Sequence, residues 1–183
     1  MKKAELRKIY KQKRNALTFE EIQVLQENIY QKIYDLEISE VKNIHIFLTL
    51  EKFKEINTIP IINYFRKHQK SIIVSKSNFT NNTLTHFYLE KDTEIQINKY
   101  GIPEPKNAIQ VLETEIDLVF VPLLISDINQ YRIGYGKGFY DRFLANCRKD
   151  VKTIGLNFFK PIPKIDDINV FDVALDFVIY PKK

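Results

Sequence analysis

A single cysteine, Cys147, serves a chain of 183 residues, so no internal disulfide can form. A reducing, cytoplasmic setting is the expectation that follows. Three scattered histidines (His45, His68, His86) without a second cysteine do not make a structural zinc site. No apolar run approaches the length that crosses a bilayer, so no membrane partner is expected. The basic N-terminus MKKAELRKIYKQKR lacks an apolar core, which argues against a secretory signal. Neither sign of charge dominates. Lys and Arg number 28 against 23 Asp and Glu, a net +5 that suits a small anionic substrate as well as nucleic acid. Much of the excess lies in the first fourteen residues, where a solvated helix face is the plainest reading. With 44% hydrophobic and 28% charged residues, the composition is that of a globular chain able to bury a core.

Glycine is scarce, but its placement is not even. Of five glycines, three (Gly134, Gly136, Gly138) fall inside five residues of Tyr131–Cys147, YRIGYGKGFYDRFLANC. Alternating glycines allow positive φ and remove Cβ atoms that would block a ligand. Successive amides in such a loop can converge on an anion. Tyr140, Phe143, Leu144 and Cys147 then follow at i, i+3, i+4, i+7, the spacing of one helix face. The loop thus feeds a helix N-terminus, which favours phosphate. Lys137 adds a mobile positive charge, Arg132 a forked one, and Asp141 a carboxylate able to hold a divalent cation such as magnesium. Singly, these are a tight turn, a solvated lysine and a dipole partner. Together they point to a phosphate site. It is not a Walker A loop, because Gly138 follows Lys137, and not a dinucleotide fingerprint, because Phe139 stands where a third glycine belongs. Cys147 shares the apolar face and reads as core, not as a nucleophile.

Periodicity predicts a helix over Lys2–Ala16 with Leu6, Ile9 and Tyr10 inward, and Lys3 and Arg7 facing one way. Thr18 and Glu21 form a capping box for a second helix, to about Leu36, with Ile22, Leu25, Ile29 and Ile33 on one face. Asn43–Leu50 reads as a buried strand, Glu51–Asn57 as a loop, and Thr58 as the cap of a helix to about Lys70 with Pro60 in its first turn. Strands follow at Ser71–Ser75 and Leu84–Leu89, around a turn at Phe79–Thr83. Lys91–Ala108 reads as irregular surface, and Ile116–Ile125 as the strongest buried strand, ended by Pro122. Thr153–Leu156 and Asp176–Tyr180 close the sheet. Strand–helix–strand order implies parallel pairing and right-handed crossovers. The expected fold class is α/β: an open, mostly parallel central sheet with helices on both faces, one domain over 1–183. The glycine loop should lie near the carboxyl end of a central strand, where such sheets bind ligands.

The run from Arg132 to Arg142, RIGYGKGFYDR, resembles the signature of the 5-formyltetrahydrofolate cyclo-ligase (methenyltetrahydrofolate synthetase) family. The resemblance implies ATP and Mg2+ as cofactors and a folate as substrate. It implies ATP contacts from Lys3 and Arg7, in KAELR, and from Arg132, Ile133, Gly134, Tyr135, Gly136, Lys137, Gly138, Phe139 and Tyr140. Lys137, Arg132 and Tyr140 take the catalytic roles. Leu48, Glu55 and Tyr100 would face the pterin, alongside Tyr135, Gly136, Lys137, Gly138 and Phe139. Asp141 and Asp172 would hold the metal. The chain departs from the family at Phe139, where tyrosine is usual, at Ile133 for leucine, and at Leu123, where glycine is common after Pro122. It also has a longer link between Leu48 and Glu55.

The implied reaction is ATP-dependent closure of 5-formyltetrahydrofolate to 5,10-methenyltetrahydrofolate, with ADP and phosphate released, by a cytoplasmic monomer. Such chemistry needs positioning and charge neutralisation more than a protein nucleophile, and the motif offers none. Two alternatives stay open. One is another Mg-ATP-dependent ligase or kinase-like enzyme with the same loop and a different acceptor. The other is a nucleic-acid module driven by the basic N-terminus, which no base-reading motif supports; no nucleic-acid partner is expected.

Overall fold

The computed structural model describes residues 1–182. Helix α1 (Lys3–Ala16) buries Leu6, Tyr10 and Arg14. Helix α2 (Phe19–Tyr34) starts at the expected capping box: Thr18 Oγ1 accepts from the Glu21 amide at 3.2 Å, and the Glu21 carboxylate accepts from the Thr18 amide at 2.8 Å. Strand β1 (Asn43–His45), helix α3 (Ile59–Lys67) and strand β2 (Ser71–Asn78) make a parallel crossover unit. Strands β3 (Thr83–Tyr88), β4 (Ile95–Ile97), β5 (Pro103–Pro105), β6 (Gln110–Val111), β7 (Leu118–Pro122), β8 (Ile125–Ser126) and β9 (Arg132–Ile133) precede α4 (Phe139–Asn146), and β10 (Lys152–Leu156) and β11 (Phe177–Ile179) end the fold.

The central sheet runs β11-β10-β7-β1-β2-β3-β6. Every pair from β11 to β2 is parallel, and β3 and β6 add an antiparallel edge. Side chains alternate across it. Ile44, Ile72, Val74, Leu118, Phe120 and Ile154 pack with Ile29, Ile33, Ile61 and Phe65 of α2 and α3. Ile73, Val119, Val121 and Val178 pack with Phe143 and Leu144 of α4. Helices therefore cover both faces, as expected. From β1 the chain moves outward to β2, and from β7 it moves the other way to β10. The crevice above β1 and β7 is thus a switch point, the place where open α/β sheets admit ligands.

Four local expectations need correction. The Asn43–Leu50 strand ends at His45, with one further rung from the Ile46 amide to the Ile73 carbonyl. Beyond it the chain leaves the sheet, and its buried Phe47 carbonyl takes a hydrogen bond from Thr58 Oγ1 at 2.9 Å. Thr58 is therefore not a side-chain cap; Asn57 Oδ1 accepts from the Ile59 amide instead. A buried carbonyl needs a donor more than an exposed helix end does. The Ile116–Ile125 run is divided. β7 stops at Pro122 as expected, since proline has no amide to donate; the correction lies beyond it, where Ile125 crosses to pair antiparallel with Ile133 in a separate ribbon. Lys91–Ala108 is not wholly irregular: β4 and β5 form a hairpin turned by Gly101 at φ 75°, and Pro103 and Pro105 sit on a two-stranded edge where a missing amide costs little.

Leu123 fills space that Gly155 leaves open. A Cβ on Gly155 would lie 2.5 Å from Leu123 Cδ2 and 2.8 Å from Leu175 Cδ1.

Candidate active site

A cavity of about 1040 Å³ opens over the carboxyl ends of β1, β2 and β7, walled by α1 and by Arg132–Asp141. The wall is built from the loop's backbone freedom. Gly136 (φ 93°) and Gly138 (φ 70°) occupy the left-handed region, and Gly138 leads into α4. A Cβ on Gly136 would approach Arg7 Cζ to 3.1 Å, and one on Gly138 would approach Arg142 Nη1 to 2.7 Å. Nothing lies within 4 Å of the same atom on Gly134. Arg7 Nε donates to the Gly134 carbonyl at 3.0 Å, which docks α1 on the loop.

Lys3, Arg7, Arg132, Lys137, Asp141 and Asp172 all line this side. Lys3 pairs with Asp172, and Arg132 Nη2 donates to Asp141 Oδ1 at 2.8 Å. Burial pulls the Arg132 pKa down, while Asp141, Tyr140 and Asp172 push it back up. Among the described residues no three His, Cys, Asp or Glu side chains form a metal-binding group. Two carboxylates on one wall are still a fitting set for magnesium, which takes one or two carboxylates and fills its other positions with phosphate oxygens and water.

Another part of the lining is apolar and aromatic: Leu48, Leu50, Phe53, Phe79, Ile102 and Phe139. Phe53 lies 5.0 Å from the Tyr135 ring, and Phe79 meets Phe139 edge-on at 5.3 Å. One carboxylate stands in this part. Glu55, 8% exposed, accepts from the Tyr135 hydroxyl at 2.8 Å and from the Leu50 amide at 2.9 Å. Burial raises its pKa against the pull of those donors and of Arg14. The long link from Leu48 is absorbed by a 3₁₀ turn at Glu51–Phe53, closed by Lys54 in the left-handed region (φ 47°), which returns Glu55 to the cavity. Burial, with the Glu55 charge, also raises the pKa of Tyr135 and Tyr140, so both hydroxyls remain donors.

Of the residues named from the sequence, Lys3, Arg7, Leu48, Glu55, Arg132 to Asp141 and Asp172 come together here. Tyr100 does not. Its ring lies 4.3 Å from that of Phe79 at a tilt of 44°, and Phe79 lines the cavity where Tyr100 does not. Cys147 packs with the apolar cluster around α4, and burial pushes its thiol up to about 12, so it is no nucleophile. Sequence reasoning missed Arg14, although it continues the buried stripe Leu6, Tyr10 at i+4 steps, an unusual place for a cation. It also missed a polar trio that reaches the cavity through His45 and Ser75: Ser75 Oγ lies 2.7 Å from His45 Nε2 and 3.0 Å from His86 Nδ1.

Residues 1–181 match the model of the 5-formyltetrahydrofolate cyclo-ligase family. The chain belongs to that family. Its relatives include the 5-formyltetrahydrofolate cyclo-ligase of Haemophilus influenzae, 31% identical over 160 residues, which span 85% of this chain and 83% of that one. Among solved structures, the Aquifex aeolicus 5,10-methenyltetrahydrofolate synthetase superposes with a TM-score of 0.83 at 25% identity, covering 98% of this chain and 89% of the other. The Mycoplasma pneumoniae 5,10-methenyltetrahydrofolate synthetase shares the fold, with a TM-score of 0.77 at 22% identity over 100% of both chains. As a cyclo-ligase family member, the chain places its signature residues Arg132–Asp141 on the cavity wall.

Proposed function

We propose that the chain is an ATP-dependent 5-formyltetrahydrofolate cyclo-ligase whose cavity holds both substrates. ATP's phosphates lie against Lys3, Arg7 and the glycine loop, and the pterin lies among Leu48, Phe53, Glu55, Phe79 and Phe139. The observation that carries this reading is that one cavity brings a cationic, glycine-rich loop together with a group of aromatics and one buried acid, in a chain of this family.

The formyl oxygen attacks the γ-phosphorus while the bond to ADP breaks. N10 then adds to the formyl carbon, loses its proton, and phosphate departs with the former formyl oxygen. The protein's part is to position and to neutralise. The amides around Gly134–Gly138 and the Lys137 ammonium meet charge on the transferring group. Arg132 fixes the orientation of Asp141. Tyr135 and Tyr140, kept protonated, serve as hydrogen-bond donors inside the cavity. Asp141 and Asp172 would hold magnesium, which neutralises phosphate charge when bound. The aromatic lining keeps water from the activated formyl group. No helix among the described residues is long and apolar enough to cross a membrane. That fact and the free thiol of Cys147 support a place in the cytoplasm.

The test is direct. Purified protein with Mg-ATP and 5-formyltetrahydrofolate should produce methenyl-folate absorbance, and Asp141→Ala should not. ATP binding without any methenyl product would assign the loop to a different acceptor.

A further inference from the structure

The aromatic part of the cavity lining contains one carboxylate, and a cation reaches it from outside the glycine loop. Arg14, on the last turn of α1, is 4% exposed. One of its terminal nitrogens, Nη2, donates to the Leu123 carbonyl at the end of the central strand run. The other, Nη1, donates to the Tyr135 hydroxyl at 3.3 Å, and that hydroxyl donates to Glu55 Oε1 at 2.8 Å. Its Nε has no partner. The guanidinium is thus spread over two anchors that a lysine's point charge could not hold at once.

We propose that Arg14 is a positioning residue which, through the Tyr135 hydroxyl, holds the Glu55 carboxylate ionised and oriented as the acceptor for the pterin. The inference rests on the assignment of this part of the cavity to the folate. An ionised carboxylate offers about four acceptor sites. Tyr135 and the Leu50 amide take two. The remaining sites suit the paired N–H donors on the aminopyrimidine edge of a pterin, and protonation would turn one of them into a donor facing donors. Burial favours that protonation. The groups that face Glu55 are few: Arg14 from α1, Tyr135 from the glycine loop, Tyr140 from α4 and the Leu50 amide from its own loop. Lys11, also from α1, sits over the Tyr135 ring at 5.5 Å. Arg14 is the one cation hydrogen-bonded into this network among the described residues.

The experiment measures KM for each substrate, across pH 6 to 8, in wild type, Arg14→Gln, Arg14→Lys, Tyr135→Phe and Glu55→Gln. Arg14→Gln should raise KM for 5-formyltetrahydrofolate roughly tenfold or more, as expected for loss of a charge-assisted contact. KM for ATP should stay within about twofold. The rise should steepen as pH falls, and should set in at a higher pH than in wild type, because Arg14 is one of the groups that pull the Glu55 pKa down. Arg14→Lys should recover part of the loss. In a Glu55→Gln background, where no proton can be gained, adding Arg14→Gln should bring no new pH dependence. If Arg14→Gln does not fold, Tyr135→Phe in the Glu55 and Glu55→Gln backgrounds carries the test, since it keeps the tie of Arg14 to Leu123 and removes the hydroxyl through which Arg14 reaches Glu55. Both KM values moving together, a pH profile parallel to wild type, or additive effects in the Glu55→Gln background would overturn the inference. Wild-type turnover is read first. Its absence overturns the proposed function and this inference with it, whereas wild-type turnover with an unmoved folate KM in the Arg14 and Tyr135 variants overturns this inference alone.

Discussion

Arg132 Nη2 stands 2.8 Å from Asp141 Oδ1, and the two side chains are unequally wet, 5% and 32% exposed. The arginine is the captive partner. It also donates to the Val173 carbonyl, so it is held between α4 and the segment that carries Asp172.

Asp141→Ala should therefore destabilise as well as inactivate. Removing one partner of a buried pair costs ~3–5 kcal/mol, and the partial exposure of Asp141 brings the figure down to about 2–3 kcal/mol. Urea melts measure this. The double variant Arg132→Met/Asp141→Ala should regain part of the loss, because no unpaired cation remains. A double variant no better than Asp141→Ala would show that the pair is not the source of the cost.

Lys137 behaves in the opposite way. It is exposed and belongs to none of the ion pairs among the described residues. Lys137→Ala should change stability by no more than about 0.5 kcal/mol. Turnover should fall about 10²–10³-fold if its charge meets the transferring phosphoryl group. Stopped assays at saturating substrates decide it, and unchanged kcat would remove Lys137 from the mechanism.

The three loop glycines should separate by role. Gly136→Ala and Gly138→Ala place a Cβ at positive φ and against an arginine, at about 1–3 kcal/mol each. Gly134→Ala meets nothing within 4 Å and should leave Tm alone. Its methyl group would occupy the cavity side of the loop and raise KM for ATP. Thermal melts beside ATP titrations distinguish the two outcomes, and a Gly134→Ala protein with native ATP affinity would place the nucleotide elsewhere.

The buried histidines predict acid lability. Burial, and for His45 also the neighbouring His86, lowers both pKa values, that of His86 to about 4. Glu113 lies 3.9 Å from His86 Nε2, too far to hydrogen-bond, and does not offset that burial. In the unfolded chain both imidazoles titrate near ~6.5. Below that pH the unfolded state binds protons that the folded state refuses. The stabilisation is complete above about 6.5 and is lost progressively toward about 4 for His86. Urea midpoints should drop between pH 7.5 and 5.5, with a shallower drop in His86→Gln. A flat midpoint would mean that the imidazoles ionise within the fold.

Leu123 and Gly155 are a matched pair. Gly155→Ala would press on Leu123 and Leu175 and should cost about 1–3 kcal/mol by overpacking. Leu123→Ala in the same chain should relieve part of it, and a denaturation cycle on the four proteins measures the coupling.

Short-range chemistry made much of this molecule legible. The Thr18–Glu21 capping box, the helical stripes of α1 and α2, and three glycines crowded beside Lys137 and Asp141 act within a few residues of one another. Their consequences follow from backbone sterics and helix periodicity whatever the rest of the chain does. That is why the signature loop, its family and the parallel sheet were readable from letters alone.

Long-range placement was not. Asn43–Leu50 looks like a whole strand because an apolar run does not reveal where a ladder loses its partner; Pro122 is legible as a strand end, but the crossing of Ile125 to Ile133 is decided only in three dimensions. The sequence marks Tyr100 as the pterin-side aromatic and Phe79 only as the start of a turn, yet in space Phe79 lines the cavity and Tyr100 packs against it. The same holds for Arg14, Tyr135 and Glu55, which lie up to 121 residues apart. Sequence determined which residues can bind phosphate; folding alone determined which buried charge answers which, because desolvation and hydrogen bonding act over ångströms of space and not along the chain.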